Sequence, residues 1–105
     1  KPEEALAGRF VKAGVPADQL LEEAYKIARR ITQFSPVAIA LTRQMMYRCA
    51  AQPHPVEAHK VDSLAIYYTS LNSGKEGVRS FLEKRPPVFT QRTSTDMPPF
   101  YPWWE

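Results

Sequence analysis

Cysteine is almost missing from this 105-residue chain: Cys49 stands alone. No disulfide frame can form within it, and one Cys with two His leaves too few ligands for a zinc-type centre, so no metal is expected. Glycine is scarce too. Gly8, Gly14, Gly74 and Gly77 are too scattered to build a phosphate-cradling loop. There is no apolar run of membrane-spanning length and no signal-peptide pattern, so no membrane partner is expected and the chain reads as cytoplasmic. Charge of one sign is also lacking. Fourteen Lys and Arg against eleven Asp and Glu leave +3, without the clustered basic face of a nucleic-acid binder, so no nucleic-acid partner is expected.

What the chain does have is proline, ten of them, used as punctuation. Pro16, Pro36, Pro53, Pro55, Pro86 and Pro87 bracket segments with helical spacing. Pro2 to Ala7 reads as a short helix. Arg9 to Val15 alternates loosely and reads either as a strand whose partner is absent or as an irregular segment. Asp18 is the expected N-cap of a helix to about Gln33, with Leu20, Leu21, Ala24, Ile27, Ala28 and Ile31 on one stripe. Ser35-Pro36 opens a helix to about Ala51, with Val37, Leu41, Met45 and Cys49 on one face and Ile39, Met46 and Ala50 widening it. A helix from Pro55 to about Asn72 follows, striped by Ala58, Val61, Leu64, Ala65, Tyr68 and Leu71.

The last helix carries Val78, Phe81 and Leu82 at the i, i+3, i+4 spacing of an apolar face. Lys84 and Arg85 are expected in its last turn, where cations suit the negative end of the helix dipole, before Pro86-Pro87 stops it. From Thr90 on, proline alternates with large aromatics. Such a tail should lie extended in a groove of its own subunit or of a neighbour.

Lys75-Glu76-Gly77-Val78-x-x-Phe81-Leu82-Glu83-Lys84-Arg85-x-Pro87-x-Phe89 resembles the C-terminal helix of the crotonase superfamily, the enoyl-CoA hydratases and isomerases. Val15-Pro16-x-Asp18-Gln19-Leu20-Leu21-x-x-Ala24 resembles the entry into that family's first C-terminal helix, and Ser35-Pro36-Val37-Ala38-Ile39 the next helix start. His59-x-x-Asp62-Ser63 and Asp96-Met97-Pro98-Pro99-Phe100-Tyr101-Pro102-Trp103-Trp104 are similar to one hydratase-like subgroup. The matches run in order over nearly the whole chain.

The resemblance implies a mainly α fold: the C-terminal helical, oligomerisation region of a crotonase-like α/β enzyme, with four main helices and an extended Pro/aromatic tail. It implies residues 1–16 as the end of a core domain, 17–89 as the helical domain and 90–105 as the tail. The implied parent acts on acyl-CoA thioesters through a stabilised enolate, as hydratase or isomerase. It needs no cofactor beyond coenzyme A, which is part of the substrate, and forms a homo-oligomer, a trimer or a dimer of trimers. The family's catalytic glutamates and oxyanion hole precede these helices, so the chain is expected to be a fragment with no catalytic residue of its own.

Two residues stand out as implied CoA contacts. Lys84 corresponds to a lysine that can meet a phosphate of coenzyme A in relatives. Phe81 could pack near the adenine or close the acyl pocket, although its place in an apolar stripe also suits a core. Arg85 is a second cation for the phosphate. Tyr67 and Tyr68 could reach an acyl chain or fill the core. His59 and Asp62 are spaced to pair on a helix surface. Ser63 points elsewhere, so no hydrolytic triad is expected. Glu76 and Glu83 are read as capping and solvated residues. The different-class alternative is a stand-alone helical interaction module without catalysis.

Overall fold

A computed structural model describes residues 1–105 and contains five α-helices and no strand. It divides into two compact units, Lys1–Ile31 and Thr32–Glu105.

In the first unit, α1 (Pro2–Ala7) starts with proline at the opening helical position and Glu3 and Glu4 in its first turn. It closes by passing through a left-handed residue, Arg9, at φ 56°. The Arg9 N–H donates to Leu6 O at 3.0 Å and the Phe10 N–H to Ala5 O at 2.8 Å, the paired bonds of a Schellman closure. The strand expected from Arg9 is therefore not formed. Its first N–H groups serve the helix end, and a lone strand has no ladder to offer them.

Asp18 is not an N-cap either. It lies inside a 3-10 turn, Ala17–Gln19, preceded by Pro16, whose carbonyl accepts the Gln19 N–H at 3.0 Å. Proline fixes the entry to the turn, so no capping carboxylate is used. Helix α2 (Leu20–Ile31) follows, with Lys26 paired to Glu23 at 3.4 Å. None of its stripe is buried.

The second unit holds the core. Helix α3 (Pro36–Cys49) begins as its sequence demands: Ser35 Oγ accepts the Ala38 N–H at 3.4 Å and Pro36 takes the first helical position. Helix α4 (Pro55–Leu71) is capped by His54, whose Nδ1 accepts the Val56 N–H at 3.1 Å. Val37 and Leu41 of α3 meet Ala65 of α4 in the fully buried centre, with Met45 and Tyr68 against them.

The Pro/aromatic tail closes this centre from within the same chain. Met97, Phe100, Tyr101 and Trp103 pack on it, and Pro98 is buried. Tyr68 pins the tail twice. Its hydroxyl donates to Asp96 O at 3.0 Å, and its ring meets Phe100 edge-on at 6.3 Å. Arg48 of α3 lies over the Trp104 ring at 4.4 Å, a cation–π contact that holds the last turn of the tail.

Helix α5 (Ser73–Leu82) packs on α4, with Gly74 close against it and Ser73 and Ser80 as the helix's buried positions. The apolar stripe Val78, Phe81 and Leu82 faces outward. Phe81 is 81% exposed, so its expected core role does not hold in this chain. The reason lies elsewhere on the helix: Gly74 lets the start of α5 approach α4 closely, Ser73 and Ser80 take the buried positions, and the bulky residues are left outside. No helix is long and apolar enough to cross a membrane.

Candidate functional site

The candidate site is the C-terminal end of α5 and the turn beyond it. Its placement starts at Asn72, which ends α4 and begins α5. The Asn72 side-chain amide donates back to Tyr68 O at 2.8 Å, satisfying an end carbonyl of α4 rather than capping α5. Two residues on, Gly74 runs close to α4: a Cβ there would lie 2.9 Å from Thr69 O. The turn between the helices is tight because Gly74 has no side chain.

At the other end, α5 stops at Leu82, and Lys84 and Arg85 lie past its last turn rather than in it. The Lys84 N–H donates to Phe81 O at 3.2 Å and the Arg85 N–H to Ser80 O at 3.0 Å, again a Schellman closure. The left-handed position, commonly glycine, is Lys84 at φ 53°. An L-residue with a Cβ pays roughly 1–2 kcal/mol for that backbone.

The residues on either side of Lys84 are tied down. Arg85 grips Glu76 with two prongs, Nη1–Oε1 at 2.6 Å and Nη2–Oε2 at 3.0 Å. Glu76 Oε1 also accepts the Val88 N–H at 2.8 Å. Glu83 accepts from Arg79 Nε at 2.8 Å and from Arg85 Nε at 2.6 Å. The Arg85 hydrogen bond, then that of Val88, holds the Glu76 carboxyl down to about 2. Glu83 is lowered by Arg79 and then Arg85. Arg85 is raised in turn, first by Glu76 and then by Glu83. These glutamates are thus partners in an ion network, not the solvated residues the sequence suggested. The spacing hid this, because Glu76 and Arg85 are no helix-surface pair: the chain must first reverse at Lys84.

Two carboxylates and two guanidiniums cancel within the network. Arg85 is consumed by it and is a poor second cation for a ligand. Lys84 is exposed, and its ammonium enters none of the chain's ion pairs. Phe81 lies one turn earlier, joined to Lys84 only through its carbonyl. Beside them, an open groove of about 530 Å³ runs between α4 and α5, floored by Gly74, Val78 and Leu82 and rimmed by Ser70, Lys75, Arg79 and Glu83.

The other candidates separate. Tyr68 belongs to the core, while Tyr67 is exposed. His59 Nδ1 meets Asp62 Oδ1 at 3.1 Å, as its spacing suggested. Ser63 does join Asp62, donating to Oδ1 at 3.3 Å, because a side chain can bend round to its neighbour. Asp62 then stands between Ser63 and His59, whereas a hydrolytic triad needs the imidazole on the hydroxyl. No group of three or more His, Cys, Asp or Glu side chains is gathered as a metal site.

The family model for enoyl-CoA hydratase/isomerase matches residues 1–92. An enoyl-CoA hydratase of Alternaria alternata is 42% identical over 87 residues, covering 80% of this chain and 28% of that protein. The mitochondrial enoyl-CoA hydratase domain-containing protein 3 of Rattus norvegicus is 31% identical over 88 residues, covering 84% of this chain and 29% of its own length. Its Homo sapiens counterpart is 30% identical over 88 residues, with the same coverage. The chain therefore spans less than a third of the curated relatives it matches. No solved structure gives a significant match. A family match over residues 1–92 and relatives above 30% identity agree, and the chain belongs to the enoyl-CoA hydratase/isomerase family.

Proposed function

We propose that this chain acts as the C-terminal helical region of an enzyme that hydrates or isomerises 2-enoyl-CoA thioesters, serving subunit assembly and coenzyme A contact. In the whole reaction the double bond is attacked while negative charge gathers on the thioester oxygen, and that enolate needs donors aimed at it. None of Glu57, Glu76 and Glu83 is assigned the proton transfer. Glu57 is paired with Lys60 at 2.8 Å, and the other two are held by arginines. The catalytic glutamates and oxyanion hole are assigned to other segments of the enzyme.

The observation that carries the reading is Lys84. It occupies a backbone conformation that favours glycine, yet its side chain does nothing for the fold. A strained residue with a free charge fits a contact made outside the chain, and an ammonium suits a phosphate of coenzyme A. Phe81, exposed one turn before, supplies an aromatic face for the adenine or the acyl pocket. The outward Val78 and Leu82 suit packing against the enzyme core or a second subunit in a trimer or dimer of trimers.

The test is titration of the chain with coenzyme A and with its 3′-dephospho form, followed by NMR, for wild type and Lys84→Ala. The expected result is weak binding, reduced about fivefold by Lys84→Ala, the scale of one exposed ion contact. Equal affinity of the two proteins would remove Lys84 from the reading. Purified chain should not hydrate crotonyl-CoA; measurable turnover would place catalytic groups within it.

A further inference from the structure

We propose that Glu76 is a positioning residue for Lys84: by clamping Arg85 and the Val88 N–H, it holds the turn that presents the Lys84 ammonium to the coenzyme A phosphate. This rests on the Lys84 reading above and adds a residue that touches no ligand.

The argument is geometric. Lys84 is the turning point of the helix closure, and the left-handed backbone there is unfavourable for lysine on its own. The two Schellman hydrogen bonds favour it but hold only main-chain atoms. Glu76 fixes what comes after the turn. Its two oxygens take both Nη atoms of Arg85, and one of them also takes the Val88 N–H, so one carboxylate spans the return of the chain through Pro86 and Pro87. Arg85 Nη1 reaches Pro86 O at 3.1 Å as well, drawing the segment onto its own guanidinium. On the other flank, Glu83 is gripped by Arg79 and Arg85. Lys84 thus sits between two anchored neighbours, with its direction set by them.

Charge points the same way. Without Glu76, the Arg85 guanidinium would keep Glu83 at Nε and the Pro86 carbonyl at Nη1 but lose its two-pronged partner, freeing Nη donors and an uncompensated charge to compete for the same anion. With Glu76, the network is neutral and the Lys84 charge is left over. The clamp therefore decides which of two adjacent cations faces the phosphate.

The experiment compares wild type, Glu76→Gln, Lys84→Ala and the double variant of the full chain, with two readouts. The first is the strong intraresidue Hα–HN NOE that a left-handed residue gives at Lys84. The second is affinity for coenzyme A. Glu76→Gln is expected to weaken the NOE and lower affinity at least about twofold, and to change nothing further in the Lys84→Ala background, since coupled residues are not additive. If Lys84→Ala lowers affinity and Glu76→Gln leaves both readouts untouched, the positioning role is wrong and the Lys84 contact stands. If Glu76→Gln lowers affinity equally in the Lys84→Ala background, its effect does not run through Lys84 and the proposal fails. If Lys84→Ala changes nothing, the contact itself is wrong and the proposal goes with it. Should Glu76→Gln lose its helical circular dichroism, Arg85→Lys serves instead: it keeps every charge, removes the two-pronged geometry, and is expected to act in the same direction.

Discussion

Glu76 and Arg85 lie nine residues apart and share two hydrogen bonds, at 2.6 and 3.0 Å, across the reversal of the chain at Lys84. That pair joins the last helix to the segment beyond it. Besides it, the Pro86-Pro87 stretch is tied to α5 by the Schellman bonds, by the Val88 N–H on Glu76 and by Arg85 Nε on Glu83.

The pair gives stability a defined acid dependence. Glu76 is held at about 2 in the fold against an ordinary value of 4.5, so the folded state binds the proton less readily than the unfolded chain. Its contribution is fully present above 4.5 and is lost as pH falls from there through about 2. Glu83 is shifted in the same direction. Urea unfolding midpoints measured from pH 7 down to pH 2 should therefore fall below about pH 4.5, and fall less steeply in Glu76→Gln. Identical slopes in the two proteins would mean the ion pair does not form in solution.

Lys84→Gly separates folding from binding. Glycine adopts the left-handed backbone without the Cβ penalty, so the variant should be more stable by about 1 kcal/mol, less whatever glycine adds to unfolded-chain entropy. The same change removes the ammonium and should weaken coenzyme A binding as Lys84→Ala does. A variant that is both less stable and equal in affinity would contradict both halves of the argument. Arg9→Gly, at the matching position of α1, is the control: it should stabilise with no effect on coenzyme A.

The sequence was most legible where local rules act alone. Ser35-Pro36 announced α3, and the Val37/Leu41 face proved to be the core. The Pro/aromatic tail was expected to need a groove, and it covers that core. The hydrophobic pattern of α5 misled about Phe81, since periodicity finds an apolar face without saying what covers it. Ser73 and Ser80 took the buried side, which a hydrophobic pattern cannot register. The candidate site was half legible. Lys84 was found by resemblance, but its left-handed backbone and the Glu76 clamp depend on a chain reversal that no helical spacing encodes. Of the two readings of Arg9–Val15 the irregular one holds, because its first N–H groups close α1, and the cap at Asp18 is displaced by the 3-10 turn that follows Pro16.

Gly74→Ala tests the close α4–α5 turn on which the site depends. The new Cβ would stand 2.9 Å from Thr69 O, a backbone atom that cannot swing aside. The helices must part slightly, which costs about 1–3 kcal/mol in a tightly packed position.

Leu41→Ala and Phe81→Ala test which apolar residue the chain uses for itself. Leu41 is 1% exposed beneath the tail, and truncating it leaves a cavity that α3, α4 and the tail cannot all close. The expected loss is about 2–5 kcal/mol, enough to unfold a domain with so small a core. Phe81 makes no comparable burial, so Phe81→Ala should stay within about 0.5 kcal/mol of wild type in a dilute melt. The ranking reverses if melts are run at rising concentration and Phe81 packs between copies. A Phe81→Ala loss that grows with protein concentration would assign the exposed stripe to self-association, and a loss that stays flat would leave it for the enzyme core or the ligand.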